Sequence, residues 1–173
     1  DLDEVLEADS ALLINAKAIV ENAVQGGSIF GAVCKMATGS SWKVEAEKII
    51  NSGFVPEAIV LVDVPADKAA IMAVQTFIDE QEAKGVFIYA MVGQKGIDDS
   101  TQTWAQYQSA LTLSIKDIVA ENVCLVPYIT PDALGVRVGR MNREDFSLAD
   151  PAVKTMYGPV KSVSEFPVDS AGI

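Results

Sequence analysis

The chain contains no histidine. That removes the side chain most often used as a general base near neutral pH, and with it the Ser-His and Cys-His nucleophilic pairs. Cysteine is nearly as scarce. Cys34 and Cys124 form no CxxC pair, and with no histidine to complete a set they make a zinc site implausible. Both sit in apolar, strand-like runs and read as reduced core thiols; a disulfide between them would need adjacent strands. Basic residues are few, 13 Lys and Arg against 24 Asp and Glu, for a net charge of −11. Phosphate binding needs clustered Lys and Arg, so nucleic acid is excluded as a partner. No apolar run reaches the ~18 residues of a membrane span, and no signal-peptide pattern opens the chain. The expectation is a soluble protein, cytoplasmic when made, with no membrane partner. It opens on Asp1 rather than Met, which predicts a processed or excised piece of something longer.

What is present is aliphatic. Half of the 173 residues are apolar while only 7% are aromatic, enough for one sizeable core built on Ala, Val, Ile and Leu. Residues 3 to 24 read as a helix whose inward face carries Leu12, Ala16, Ile19 and Ala23, widened by Leu13, Val20 and Val24. Gly26-Gly27 ends it. Ile29 to Ala37 reads as a buried strand, and Ser40 and Ser41 offer caps for a helix over 42–51. Ala58 to Val62 is a near-continuous apolar strand of the kind buried on both faces of a parallel sheet. A helix over 67–83, a strand over 86–92 and a helix from Trp104 follow, the last capped by Asp98, Asp99 or Ser100. That last helix is the most strongly periodic in the chain. Its stripe of Trp104, Tyr107, Leu111, Ile115 and Ile118 is expected to face the sheet. A strand over 122–126 and a helix begun by Thr130-Pro131 complete the order. The alternation predicts an α/β fold, a three-layer α/β/α arrangement on a mostly parallel sheet. Pro151, Pro159 and Pro167 then break any long helix. The expected organisation is a core domain over 1–142 and an extended C-terminal arm over 143–173.

Ligands of open parallel α/β sheets bind beyond the carboxyl ends of the strands. Those ends carry Thr38, Ser40 and Ser41, then Asp63, then Gln94 and Lys95, then Tyr128 and Thr130. Thr38-Gly39-Ser40-Ser41 matches neither GxGxxG nor GxxxxGK[ST], and a capping serine accounts for it. Asp63 and Lys95 are similar in type to the phosphoacceptor and lysine of receiver domains, but the acidic pair expected after the first strand is missing, and a turn carboxylate explains Asp63. A Ser40–Lys95 nucleophile pair is conceivable only if Lys95 were depressed. Asp98-Asp99 could approach a cation, but a hard cation wants six to eight oxygens, and capping explains the pair. Trp104 and Tyr107 could stack a ligand, yet their helical spacing favours packing. No catalytic, cofactor-binding or metal-ligating residue is assigned, and the chain is not expected to be an enzyme. The alternative is a small α/β enzyme or ligand-binding domain acting at the strand ends.

One segment carries a more pointed signal. Gly139-Arg140-Met141-Asn142, Ala149-Asp150-Pro151-Ala152-Val153 and Tyr157-Gly158-Pro159-Val160 resemble the region after the α/β core of contractile phage tail sheath proteins. Asp1-Leu2-Asp3-Glu4-Val5-Leu6 is similar to the Leu-Asp-rich helix start of that family. The resemblance implies a structural subunit of a phage or prophage-derived particle, with no cofactor. It implies self-association into a helical sheath around a tail tube, contact with baseplate proteins, and arms that add strands to neighbouring sheets. It also implies assembly in the cytoplasm of a bacterial host, followed by residence in the virion tail.

Overall fold

The computed structural model describes residues 6–23, 31–32, 36, 41–64, 67–141 and 167–172. Among them are five helices and one sheet: α1 (Ala11–Asn22), α2 (Trp42–Asn51), β1 (Ala58–Leu61), α3 (Lys68–Glu82), β2 (Tyr89–Gln94), α4 (Trp104–Ile115), β3 (Val123–Pro127) and α5 (Ala133–Met141). Side-chain oxygens start four of the helices. Ser10 accepts from the Leu13 amide, Ser41 from Val44, Asp67 from Ala70, and Thr103 forms a capping box with Gln106, satisfying amides that have no intrahelical partner. The cap of α4 is therefore Thr103. Asp98, expected there, instead accepts from the Ser100 amide and hydroxyl in the preceding turn. Gly53 and Gly85, at φ of 92° and 81°, turn the chain out of α2 and α3 where a side chain would be strained.

The three strands are parallel in the order β1-β2-β3. Ile59 lies opposite Ala90, and Val92 opposite Leu125. Successive strand residues alternate between two covered faces, as their unbroken apolar runs imply. On one face Ile59, Leu61, Ala90, Val92, Val123 and Leu125 meet Trp42, Ala46 and Ile50 of α2 and Val74, Phe77 and Ile78 of α3. Phe77 is fully buried, and the Trp42 ring stands edge-on to it at 5.4 Å. On the other face Val60, Met91, Cys124 and Val126 meet Leu134 and Val138 of α5. This is the expected α/β/α layering. The strand expected over 29–37, apart from residues 31, 32 and 36, and the arm expected over 143–173, apart from 167–172, lie outside the described residues, as do Cys34, residues 1–5 and the segments behind the sheath resemblance beyond Met141. Cys124 is a free thiol.

The structure corrects two expectations about helix faces. On α1 the expected Leu13 and Ala16 are buried and Ile19 packs on the α5 cluster, but Asn15, Ala18 and Asn22 are buried with them, and Val20 is 64% exposed. Apolar periodicity missed this because α1 lies on α5 by backbone approach. A Cβ on Gly135 would fall 2.2 Å from the Asn15 carbonyl oxygen, and one on Gly139 would fall 2.5 Å from that of Ile19. Where backbones come so close, asparagine can serve the facing polar groups. Asn15 donates to the Pro131 carbonyl at 3.0 Å and accepts from the Gly135 amide at 2.7 Å. The second correction concerns α4, which buries no residue. Trp104, Tyr107, Leu111 and Ile118 are half-buried, while Ile115 is 38% and Leu113 71% exposed. The stripe meets its own lead-in loop instead of the sheet: the two aromatic rings pack edge-to-face, and the Tyr107 hydroxyl donates to the Lys95 carbonyl at 2.9 Å. Leu111→Ala should therefore cost no more than about 1 kcal/mol, well below the 2–5 kcal/mol of a buried leucine. Urea unfolding of the variant checks this.

Beyond the undescribed stretch, residues 167–172 lie against the amino end of α4. The Asp169 carboxylate, 7% exposed, accepts from the Trp104 amide at 2.9 Å, and the Ser170 amide donates to the Gln102 carbonyl at 3.0 Å. A carboxylate there faces the positive end of the helix.

Candidate functional site

At the carboxyl ends of the strands one side chain of the protein packs across the sheet. Tyr128, just past β3, lays its ring against the backbone of Gly93 in β2; a Cβ at Gly93 would sit 2.2 Å from the ring. Its amide donates to the Gln94 carbonyl at 2.8 Å, so β3 stays in step with β2 to the end of the sheet. The Tyr128 hydroxyl is buried without a partner at full hydrogen-bond geometry. Burial raises its pKa above the ordinary 10.0, the nearby Asp63 charge adds to the rise, and the Asp63 backbone holds it back. One side chain thus spans from β3 across β2 toward the end of β1.

The residues expected at this pole come together only in part, Asp63 and Gln94 lying by Tyr128. Asp63 is exposed and takes φ of 63°, a turn conformation that aspartate tolerates. Lys95 is exposed. Thr38 and Ser40 lie outside the described residues, and Ser41 is the cap of α2. The Gln94 side-chain oxygen is buried and unpartnered. Thr130 is 4% exposed, and its carbonyl accepts from the Ala133 amide. The sequence reading missed Asp132, 3% exposed, with both carboxylate oxygens lacking a hydrogen-bond partner. Its place in a Thr-Pro-Asp helix start signalled an exposed first-turn acid. Asp98 is held below its ordinary 3.8 chiefly by the hydroxyls of Ser100 and Thr101. It is thereby committed to its own turn. Among the described residues no three His, Cys, Asp or Glu side chains gather as a metal site, and no helix is long and apolar enough to cross a membrane.

An open hollow of about 260 Å³ lies at the opposite, amino pole. It is lined by Ile78, Glu82, Phe87, Ile88, Tyr89 and Asn122. Phe87 is 73% exposed there. Burial, and then the charge of Glu57, raise the Tyr89 pKa. The Tyr107 pKa is raised by burial as well. For these phenols the neutral form is the one the fold favours. Their contribution to stability is complete below pH 10 and is lost as pH climbs through the raised folded values. Alkaline titration should show Tyr89, Tyr107 and Tyr128 forming phenolate above pH 10 together with loss of structure. Tyr128→Phe should remove one phenol from that shifted set, read by phenolate absorbance beside circular dichroism.

The result is a parallel α/β/α body with Tyr128 packed across the end of its central strand, and comparison with known proteins gives its family. The whole chain, residues 1–173, matches the family described as DUF2586, N-terminal domain, and the chain belongs to that family. It is also 33% identical over 112 residues to a protein of Haemophilus phage HP1 (strain HP1c1) provisionally named a tail sheath protein. That alignment covers 61% of this chain and 30% of the phage protein's length. No solved structure matches the chain.

Proposed function

We propose that this domain is a structural part of a phage tail, in a sheath-type subunit that self-associates around a tail tube and performs no catalysis. The observation that carries this reading is the 33% identity to the provisionally named sheath protein of phage HP1, which points the same way as the segment resemblance seen in the sequence. The architecture is suited to such a role. A sheet covered on both faces keeps its shape while its neighbours move. Among the described residues β1 and β3 each pair only with β2, and a free sheet edge can accept a strand from another subunit. A contact between unlike surfaces that does not close generates a helical array. In this reading the arm over 143–173 links subunits, the tube and baseplate proteins are partners, and the product is a contractile sheath assembled in the host cytoplasm and carried on the virion tail.

The test is to express the full-length protein with the other tail proteins of its particle and image the product by electron microscopy. Tubes or stacked rings are expected. Monomers alone, with the partners present, would end the sheath reading, and so would a hydrolase or transferase activity abolished by Lys95→Ala.

A further inference from the structure

Helix α4 is unusual for a helix that buries nothing. Its sequence, WAQYQSALTLSI, carries no charged residue, whereas 21% of the chain is charged. A 12-residue segment of average composition carries two or three charges. The outward positions hold Ser, Thr, Gln and Ala together with Leu113 and Ile115, and Val119 follows at 79% exposure. A helix face meant for water is rich in Lys and Glu. Depletion of charged side chains around exposed apolar ones such as Leu113 and Val119 is a feature of interface cores. An isolated helix of this length is also marginal in water, and this one has little tertiary packing of its own to hold it.

The position of the chain's last described residues indicates what covers it. Residues 167–172 are hydrogen-bonded to the amino end of α4 through Asp169 and Ser170. The family description makes this an N-terminal domain, and the phage HP1 protein extends far beyond the aligned 112 residues. Any polypeptide following residue 173 would start within reach of α4. The helix is about 18 Å long at 1.5 Å per residue, a span that a few following residues can cover.

We propose that the uncharged outer face of α4, centred on Leu113, is the seat of the polypeptide that follows this N-terminal domain in the same chain. Asp169 anchors the point of departure and α4 is the docking rail. This holds whatever larger assembly the protein enters. The experiment is hydrogen exchange on the full-length protein, diluted until monomeric, with the amides of β2 as the internal standard of folding. The expected result is slow exchange over 107–115 that does not change with concentration. Leu113→Glu and, separately, Ala110→Glu should abolish that protection while β2 stays slow. Both sites are exposed, so neither change should disturb the sheet. Fast exchange over 107–115 in the unmodified protein would overturn the proposal. Protection that rises with concentration would overturn it too, and make the occupant a second copy. Protection indifferent to both substitutions would likewise refute it.

Discussion

Phe77→Ala should remove a large share of the domain's stability. Phe77 has no exposed surface. It lies at the centre of the cluster that joins α2 and α3 to all three strands, with Trp42 edge-on at 5.4 Å. Truncating a buried phenylalanine costs about 3–5 kcal/mol, the lost transfer energy plus the cavity left behind. A domain of this kind has roughly 5–15 kcal/mol in all. Guanidinium unfolding should show a large fall in the midpoint with little change in slope. Trp42 fluorescence serves as the probe, because its ring loses its neighbour. A shift equivalent to less than about 1 kcal/mol would mean that α3 does not seal this face as described.

The second large effect runs against helix propensity. Gly135 lies inside α5, where replacing glycine by alanine ordinarily stabilises by about 1 kcal/mol. Here the new Cβ would fall 2.2 Å from the Asn15 carbonyl oxygen and 2.9 Å from the Ala18 Cβ. The first is backbone and cannot swing aside. The helices must separate, which weakens the Asn15 hydrogen bonds to Pro131 and Gly135. Overpacking costs of about 1–3 kcal/mol are usual, and Gly135→Ala should reach the upper end. Gly31→Ala, where nothing lies within 4 Å, is the control and should be near neutral. If Gly135→Ala raised the melting temperature, the close crossing of α1 and α5 would be wrong.

The strand runs were legible in the sequence because burial on both faces leaves an unbroken apolar signal. Ala58 to Val62 and Asn122 to Val126 fell within a residue of β1 and β3, and helix α2 was read at its true bounds. The strand read over 86–92 was observed over Tyr89–Gln94. The shift arises because Phe87 is apolar yet exposed, while Gly93 and Gln94 pair with β3 despite their composition. The face of α1 was not legible, because its contact with α5 depends on asparagines and on glycines 120 residues away. The stripe of α4 was legible as a stripe. Periodicity, however, reports that a face is apolar and says nothing about what it meets. At the strand ends the sequence offered a set of polar residues, but not the Tyr128 ring across Gly93. A glycine inside a strand hints at such an approach without naming the visitor.

The Asp169–Trp104 hydrogen bond has a mechanical meaning. It joins residues 65 apart in sequence, so it divides the chain into a stretch that can carry load and a stretch that is bypassed. Tension applied beyond residue 172 passes through the Asp169 carboxylate and the Ser170 amide into the amino end of α4, and from there through the 95–103 loop to the end of β2. That path ends on the central strand, which is bonded on both sides. A pull from that side would meet the hydrogen bonds of Asp169 and Ser170 before it reached the sheet.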